Sequence, residues 1–182
     1  MVSDYACQTG CRMTLWYISD THFSHANMVT TFKRANGSPA RDFASVEEMD
    51  EIMIARWNEV VRPGDHVWHL GDVPFIRRRL DSILPRLAGH KRLLLGNHDK
   101  VQISAYTRHF QKIRASQLHD KFLFTHIPIA PGSFGKCVAN VHGHVHSSQP
   151  HVWRTQHGER TYTYINVSVE VIDYRPISLE EI

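Results

Sequence analysis

Asp20 and His22 stand two residues apart, and so do His144 and His146. Between the two pairs lie Gly71-Asp72, Gly96-Asn97-His98-Asp99 and His126. The side chains are imidazoles, carboxylates and one amide, with no thiolate. Such a set favours manganese, iron, zinc, cobalt or nickel over calcium or magnesium. The chain carries 14 histidines in 182 residues, and histidine is the commonest transition-metal ligand. Asp20, His22, Asp72, Asn97, His126, His144 and His146 are too many ligands for one catalytic ion with an open position, but they suit two ions sharing a carboxylate. Two divalent ions, two carboxylates and a bridging hydroxide leave about one positive charge, enough to attract a phosphate and to stabilise both oxygens of an in-line displacement.

The elements that must position these residues are legible as apolar runs. Leu15 to Ser19, Val67 to Leu70, Arg92 to Leu95, Lys121 to Thr125 and Val138 to His142 read as strands. They stop in turn at Asp20, Gly71-Asp72, Gly96-Asn97, His126 and Gly143-His144. In α/β sheets, ligand sites lie beyond the carboxyl ends of strands. Five successive strands ending in metal-binding residues therefore point to one shared site. On extended backbone, residues i and i+2 face the same way, so each two-apart pair is expected to aim at one region. Gly71, Gly96 and Gly143 are expected to let the chain turn sharply where strand becomes site. A sixth strand is read at Tyr162 to Val169, and residues 147–161 as a surface loop or hairpin.

Ser45-Val46-Glu47-Glu48 forms a capping box before a helical stripe of Met49, Ile52, Met53, Trp57 and Val60, ended by Arg62-Pro63-Gly64. A second helix is read at 76–84, with Pro85 near its end. Strands alternate with helices early and dominate later, which reads as α/β with two sheets.

Asp20-x-His22, Gly71-Asp72, Gly96-Asn97-His98-Asp99, His126 and Gly143-His144-x-His146 resemble, in order and spacing, the calcineurin-like metallophosphoesterases. The segments around Asp20-Thr21-His22-Phe23, His69-Leu70-Gly71-Asp72-Val73 and Asn166-Val167 are similar to the small, cap-less branch of bacterial and phage genomes. The resemblance implies a four-layer αββα sandwich, two packed mixed β-sheets flanked by helices. It implies one ion on Asp20, His22, Asp72 and His146, and another on Asp72, Asn97, His126 and His144, with Asp72 bridging. His98 would contact the phosphate and protonate the leaving oxygen, and Asp99 would orient its ring. The protein Ser/Thr phosphatase branch carries a further Asp-Arg after the Asp72 position and an arginine before Gly96. Here Val73-Pro74 and Leu95 stand there, which argues against a dedicated phosphoprotein phosphatase.

The expected activity is hydrolysis of a P–O ester, mono or diester, by direct attack of a bridging hydroxide in a dinuclear site. Manganese is the first choice of metal, with iron, zinc, nickel or cobalt as alternatives. The rival readings are a catalytically inactive metal-binding scaffold of the same fold and, within enzymes, a nuclease. A net charge of +3 is too small to indicate nucleic acid as substrate. His25, Arg34 and Arg41, which follow the first strand, are candidate substrate contacts, with packing or solvated loop charge as the alternative. Trp153 is read as stacking on a base or as packing, His142 as a buried strand residue or one behind the ligands, and His66 and His69 as core or edge residues. No apolar stretch approaches the ~18 residues of a membrane span. Three cysteines, Cys7, Cys11 and Cys137, give no closed disulfide framework, so a reducing, cytoplasmic setting is expected. Residues 1–12 read as a flexible tail, Met13 as a candidate start, and 13–182 as a single domain.

Overall fold

The computed structural model describes residues 13–34, 36–74 and 77–182, of Arg77 the backbone only. The tail reading for 1–12, Cys7, Cys11 and the expected helix start at Ile76 lie outside the described residues.

The architecture is an α/β sandwich of two five-stranded mixed sheets. The strands are β1 (Leu15–Ile18), β2 (His66–His69), β3 (His90–Leu94), β4 (Lys112–Arg114), β5 (Ser116–His119), β6 (Phe122–Thr125), β7 (Ala139–His142), β8 (Val152–His157), β9 (Arg160–Asn166) and β10 (Ile177–Ser178). The first sheet has the order β10-β1-β2-β3-β4 and the second β5-β6-β7-β9-β8. In the first, β1 to β4 run parallel and β10 antiparallel. In the second, β6, β7 and β9 run parallel, with β5 and β8 antiparallel at the edges. A single residue, Ala115, separates the last parallel strand of one sheet from the first strand of the other.

The six strands read from the sequence are β1, β2, β3, β6, β7 and β9. The four that escaped that reading, β10, β4, β5 and β8, are the four edges. An edge strand borders water along one side and needs no unbroken apolar run. Thus β5 is Ser-Gln-Leu-His and β8 is Val-Trp-Arg-Thr-Gln-His. Because β4 and β5 intervene, the site-bearing strands are not in unbroken succession as expected. Residues 147–161 do form part of a hairpin, with β8 paired along β9.

The described α-helices are α1 (Asn27–Thr30), α2 (Val46–Val60), α3 (Arg77–Ile83) and α4 (Ile103–Tyr106). At the start of α2, the Ser45 hydroxyl accepts the Glu48 amide at 3.1 Å. The Glu48 carboxylate takes the amide of Ala44, one residue earlier than a capping box predicts. Met49, Met53 and Trp57, four residues apart, make one buried stripe. A 3-10 turn, Leu84–Arg86, continues α3 past Pro85.

One main core contains buried residues from α2 and from the central strands of both sheets. Tyr17 on β1 stacks on Phe124 on β6, ring centres 4.4 Å apart, and joins the sheets. Along β9, Ile165 enters this core, whereas Tyr162 and Tyr164 belong to a second, smaller cluster with Phe134, as side-chain alternation demands. Trp153 stacks on Tyr164 at 4.0 Å and donates to the His142 ring. It is a packing residue there, and His142 is fully buried.

Phe124→Ala removes one partner of the inter-sheet stack and leaves a cavity in the main core. It should cost about 3–5 kcal/mol, read by urea unfolding of the metal-free protein. A loss below about 1 kcal/mol would mean that the sheets are not joined through this contact.

Candidate metal centre

The parallel strands β1, β2 and β3 of one sheet and β6 and β7 of the other end at Asp20, Asp72, Asn97, His126 and His144, which the fold brings together. Backbone bonds lace the loops. The amides of Asp20, His22 and Phe23 donate to the carbonyls of Gly71, Asp72 and Val73, and the Gly143 amide donates to the His126 carbonyl.

Both carboxylates are buried, Asp20 at 0% and Asp72 at 3% exposure, and each divides its two oxygens between different tasks. Asp20 Oδ2 accepts the His144 amide at 2.8 Å and the Ser168 hydroxyl at 3.0 Å. Its Oδ1 has no hydrogen-bond partner and lies 3.9 Å from the Nε2 atoms of both His22 and His146. Asp72 Oδ1 accepts the His98 amide at 2.8 Å. Its Oδ2 stands 3.6 Å from His22 Nε2 and 3.4 Å from His126 Nε2. Two ligands held about 2.1 Å from one ion lie roughly 3–3.4 Å apart; the Asp72–His126 spacing meets this, and the other three are wider by 0.2–0.5 Å. Asn97 Oδ1 completes the set, 2.8 Å from His126 Nε2 and 2.9 Å from His144 Nδ1.

Among the described residues, two groups of three have donor atoms close enough to hold a metal ion: Asp20, His22 and His146, and Asp20, Asp72 and His126. The donor chemistry fits. An orphaned buried carboxylate oxygen faces two imidazoles, and an amide oxygen faces two ring nitrogens. The His126 Nδ1–H donates to the Leu70 carbonyl at 2.8 Å, which leaves the Nε2 lone pair for a ligand. Titration reflects the crowding. Burial pushes Asp72 up, but the bond to His126, the His126 charge and the His98 amide outweigh it and hold the carboxyl at about 2. Burial also pulls His126 down, yet Asp72, Asp20 and the Leu70 carbonyl raise it to about 8. Burial and the Arg41 charge keep His22 neutral, well below its usual range.

The loops differ from expectation in how they converge. Asp20, His22, Asp72, His144 and His146 all have positive φ, from 47° to 71°, so the two-apart pairs do not converge through extended backbone. Each such residue costs about 1–3 kcal/mol and persists where the surroundings over-determine it. Gly71, with φ 103°, is a turn residue as expected. Gly96 and Gly143 serve instead as close approaches. A Cβ on Gly96 would lie 2.1 Å from Asp72 Oδ1, and one on Gly143 2.2 Å from Asp20 Oδ2.

Other assignments are corrected by burial and bonding. Arg41 is fully buried and cannot meet a substrate. Its Nε and Nη2 bond Glu170 Oε1, each at 2.8 Å. Its other donors hold the carbonyls of Thr21, at 2.6 Å, and Asp20. Glu170 in turn accepts His146 Nδ1–H at 2.9 Å, fixing which ring nitrogen faces Asp20. Sequence reading missed Glu170. It lies 24 residues beyond His146 and 129 beyond Arg41, and an isolated glutamate carries no signal.

Asp99, expected to orient the His98 ring, is engaged by backbone amides and a tyrosine. Its oxygens accept the amides of Asp72 (2.8 Å), Gly96 (2.8 Å) and Val73 (3.1 Å) and the Tyr106 hydroxyl (3.2 Å). It thereby ties two of the site loops together. Asn166 holds the His146 loop through that residue's carbonyl at 2.7 Å. His69, buried, bonds the Thr21 hydroxyl at 3.0 Å.

The outer side of the cluster is open. Asn97 and His98 are exposed, and the His98 ring lies 5.5 Å from that of His22. His25 flanks it, 5.6 Å from His22 and 5.5 Å from Phe32. Arg34 is exposed and donates to the Ala40 carbonyl at 3.2 Å.

Glu170→Gln tests the buried support. Burial raises the Glu170 carboxyl, but Arg41 and His146 pull it to about 2, below its ordinary 4.5. Its stabilisation is therefore complete above about pH 4.5 and fades as pH falls towards 2. Removing one partner of a buried pair costs about 3–5 kcal/mol, so the substitution should destabilise metal-free protein by about that much at pH 7. The gap from wild type should close on acidification. A pH-independent gap would contradict the assignment.

No protein-family model matches the chain. Among solved structures it resembles the protein of unknown function AQ665 from Aquifex aeolicus, with TM-score 0.67 and 26% identity over 93% of this chain and 97% of that one. It is 36% identical to the Gene 66 protein of Mycobacterium phage D29 over 90 residues, 47% of this chain and 40% of the phage protein. It is 35% identical to the uncharacterized protein MJ1445 of Methanocaldococcus jannaschii over 170 residues, 91% of this chain and 87% of that protein. With that identity sustained along almost its whole length, the chain belongs to the same family as MJ1445.

Proposed function

We propose that this protein is a metallophosphoesterase of the calcineurin-like type, a hydrolase of P–O ester bonds working with two divalent transition-metal ions, manganese first among them. The observation that carries the reading is the division of labour in Asp20 and Asp72. Each ties one oxygen to a backbone amide and turns the other towards imidazoles, Asp20 Oδ1 with no hydrogen-bond partner and Asp72 Oδ2 between His126 and His22. Asp20, His22, Asp72 and His146 would hold one ion, and Asp72, Asn97, His126 and His144 the other. When bound, the ions supply an activated water and neutralise charge on the phosphoryl group.

The chain's own residues do the rest. The neutral imidazole and amide ligands bind metal without cancelling its charge, so the centre remains attractive to an anion. Exposed His98, beside Asn97, would contact the phosphate and give a proton to the leaving oxygen. Its backbone amide, bonded to Asp72, fixes where its side chain starts. His25 and Arg34 are the remaining candidates for substrate contact. Among the described residues no helix is long and apolar enough to cross a membrane, and a cytoplasmic location belongs to this reading.

Prolonged dialysis against a chelator should abolish turnover of a chromogenic phosphoester, and added manganese should restore it at least in part. Asp72→Ala should lose both ions together, as read by elemental analysis. Activity that survives with the metal shown to be gone would remove the mechanism.

A second expectation separates proton donation from phosphate positioning. A poor leaving group such as an alkoxide needs a proton, whereas a nitrophenolate departs without one. His98→Ala should therefore slow an alkyl phosphoester on the order of 10²-fold or more, and an aryl ester distinctly less, with metal content unchanged. Equal losses on the two esters would assign His98 to positioning instead.

A further inference from the structure

Beside the Asn97 and His126 end of the centre runs a groove of about 340 Å³, lined by Leu95, Ala115, Ile127 and Ile129, with Gly96 and Thr125. It follows the seam between the two sheets. Leu95 continues β3, Ala115 is the crossing residue between β4 and β5, and Ile127 follows β6 and its terminal His126. Its size is within the range of small-molecule sites, roughly 300–1,000 Å³.

Its chemistry is one-sided. His126 is the only ionisable side chain among the lining residues, and its ring nitrogens face Leu70, Asn97 and Asp72. The Thr125 hydroxyl is turned inward. It donates to the Ile127 carbonyl at 2.7 Å and accepts from Asn140 at 2.9 Å. Ile127 is 50% exposed, an apolar side chain left facing water at the mouth of a polar centre. The other flank carries the exposed imidazole of His98, with the buried rings of His22 and His25 behind it. A phosphoester seated at the centre thus meets imidazole on one side and an uncharged apolar trough on the other.

We infer that this groove is the subsite for the organic group of the substrate, and that the substrate is a phosphoester of an uncharged, apolar alkyl or aryl alcohol. The inference rests on the phosphoesterase reading, because that reading places the phosphate beside Asn97 and His126. Beyond Asn97 and His126 at its inner end, the groove's lining has no uncommitted side-chain donor and no second charged group for a sugar hydroxyl or a further phosphate. Selection along it comes from apolar contact, which grows with the length of the chain buried.

The test uses manganese-loaded full-length protein and a series of non-hydrolysable n-alkylphosphonates, methyl, butyl and hexyl, with binding followed by calorimetry. A fully buried methylene strengthens binding by about fourfold. In a half-open groove about twofold for each is expected, so hexylphosphonate should bind at least about 30-fold more tightly than methylphosphonate. Ile127→Asn and Ala115→Gln place neutral polar groups at exposed lining positions, where folding is spared, and should each reduce that ratio to about threefold. Equal affinities for methyl and hexyl in the wild type would overturn the groove assignment while leaving the phosphate site intact. A high ratio untouched by either substitution would place the chain elsewhere and overturn it equally. Failure of every phosphonate to bind the metal-loaded protein would remove the underlying reading, and this inference with it.

Discussion

Two buried carboxylates, Asp20 and Asp72, share one space at the meeting of the two sheets, and much of the local structure answers to them. Burying a single unpaired carboxylate is costly, and burying two side by side adds their repulsion. Each is partly compensated by backbone: the His144 amide and Ser168 hydroxyl on Asp20, the His98 amide on Asp72. The remaining oxygens are left to imidazoles. Without a cation, the raised basicity of His126 and His146 is what offsets them.

That constraint reaches into the backbone. Amides can come close enough to the carboxylates only where a neighbouring Cβ is missing, which fixes Gly96 and Gly143. The ligand loops bend through left-handed conformations that ordinary residues avoid. What holds them there is a layer of bonds behind the ligands. Arg41 and Glu170 brace Asp20, Thr21 and His146, Asp99 clamps Asp72 to Gly96, and Asn166 holds the His146 loop. These groups are drawn from both sheets and from the loop before α2, so the inner wall of the centre is fixed by the fold as a whole. The outer wall, with Asn97, His98 and the groove, is bound by few such restraints and faces solvent.

The sequence made the central strands and the candidate ligands at their ends legible for one physical reason. A strand buried on both faces must be an apolar run, and a polar residue that ends it is conspicuous. Edge strands escape this logic, and β4, β5, β8 and β10 were not visible. Spacing showed that Asp20 and His22 act together but gave the wrong backbone for it, because αL conformations leave no mark on residue type except at glycine. Arg41 looked like a solvent-facing loop charge because its partner is 129 residues away. For Asp99 the family resemblance implied a contact with the His98 ring. Its actual bonds go to Asp72 and Val73 on another loop, a relation that only the tertiary fold creates.

The central claim is that Asp20 Oδ1 and Asp72 Oδ2 face two cation positions on either side of Asp72. Anomalous diffraction from crystals of the manganese-loaded protein tests it most directly. The account predicts two peaks, one among Asp20, His22 and His146 and the other among Asn97, His126 and His144, with Asp72 between them. A single peak with Asp72 at its margin, or none within reach of these side chains, would contradict it.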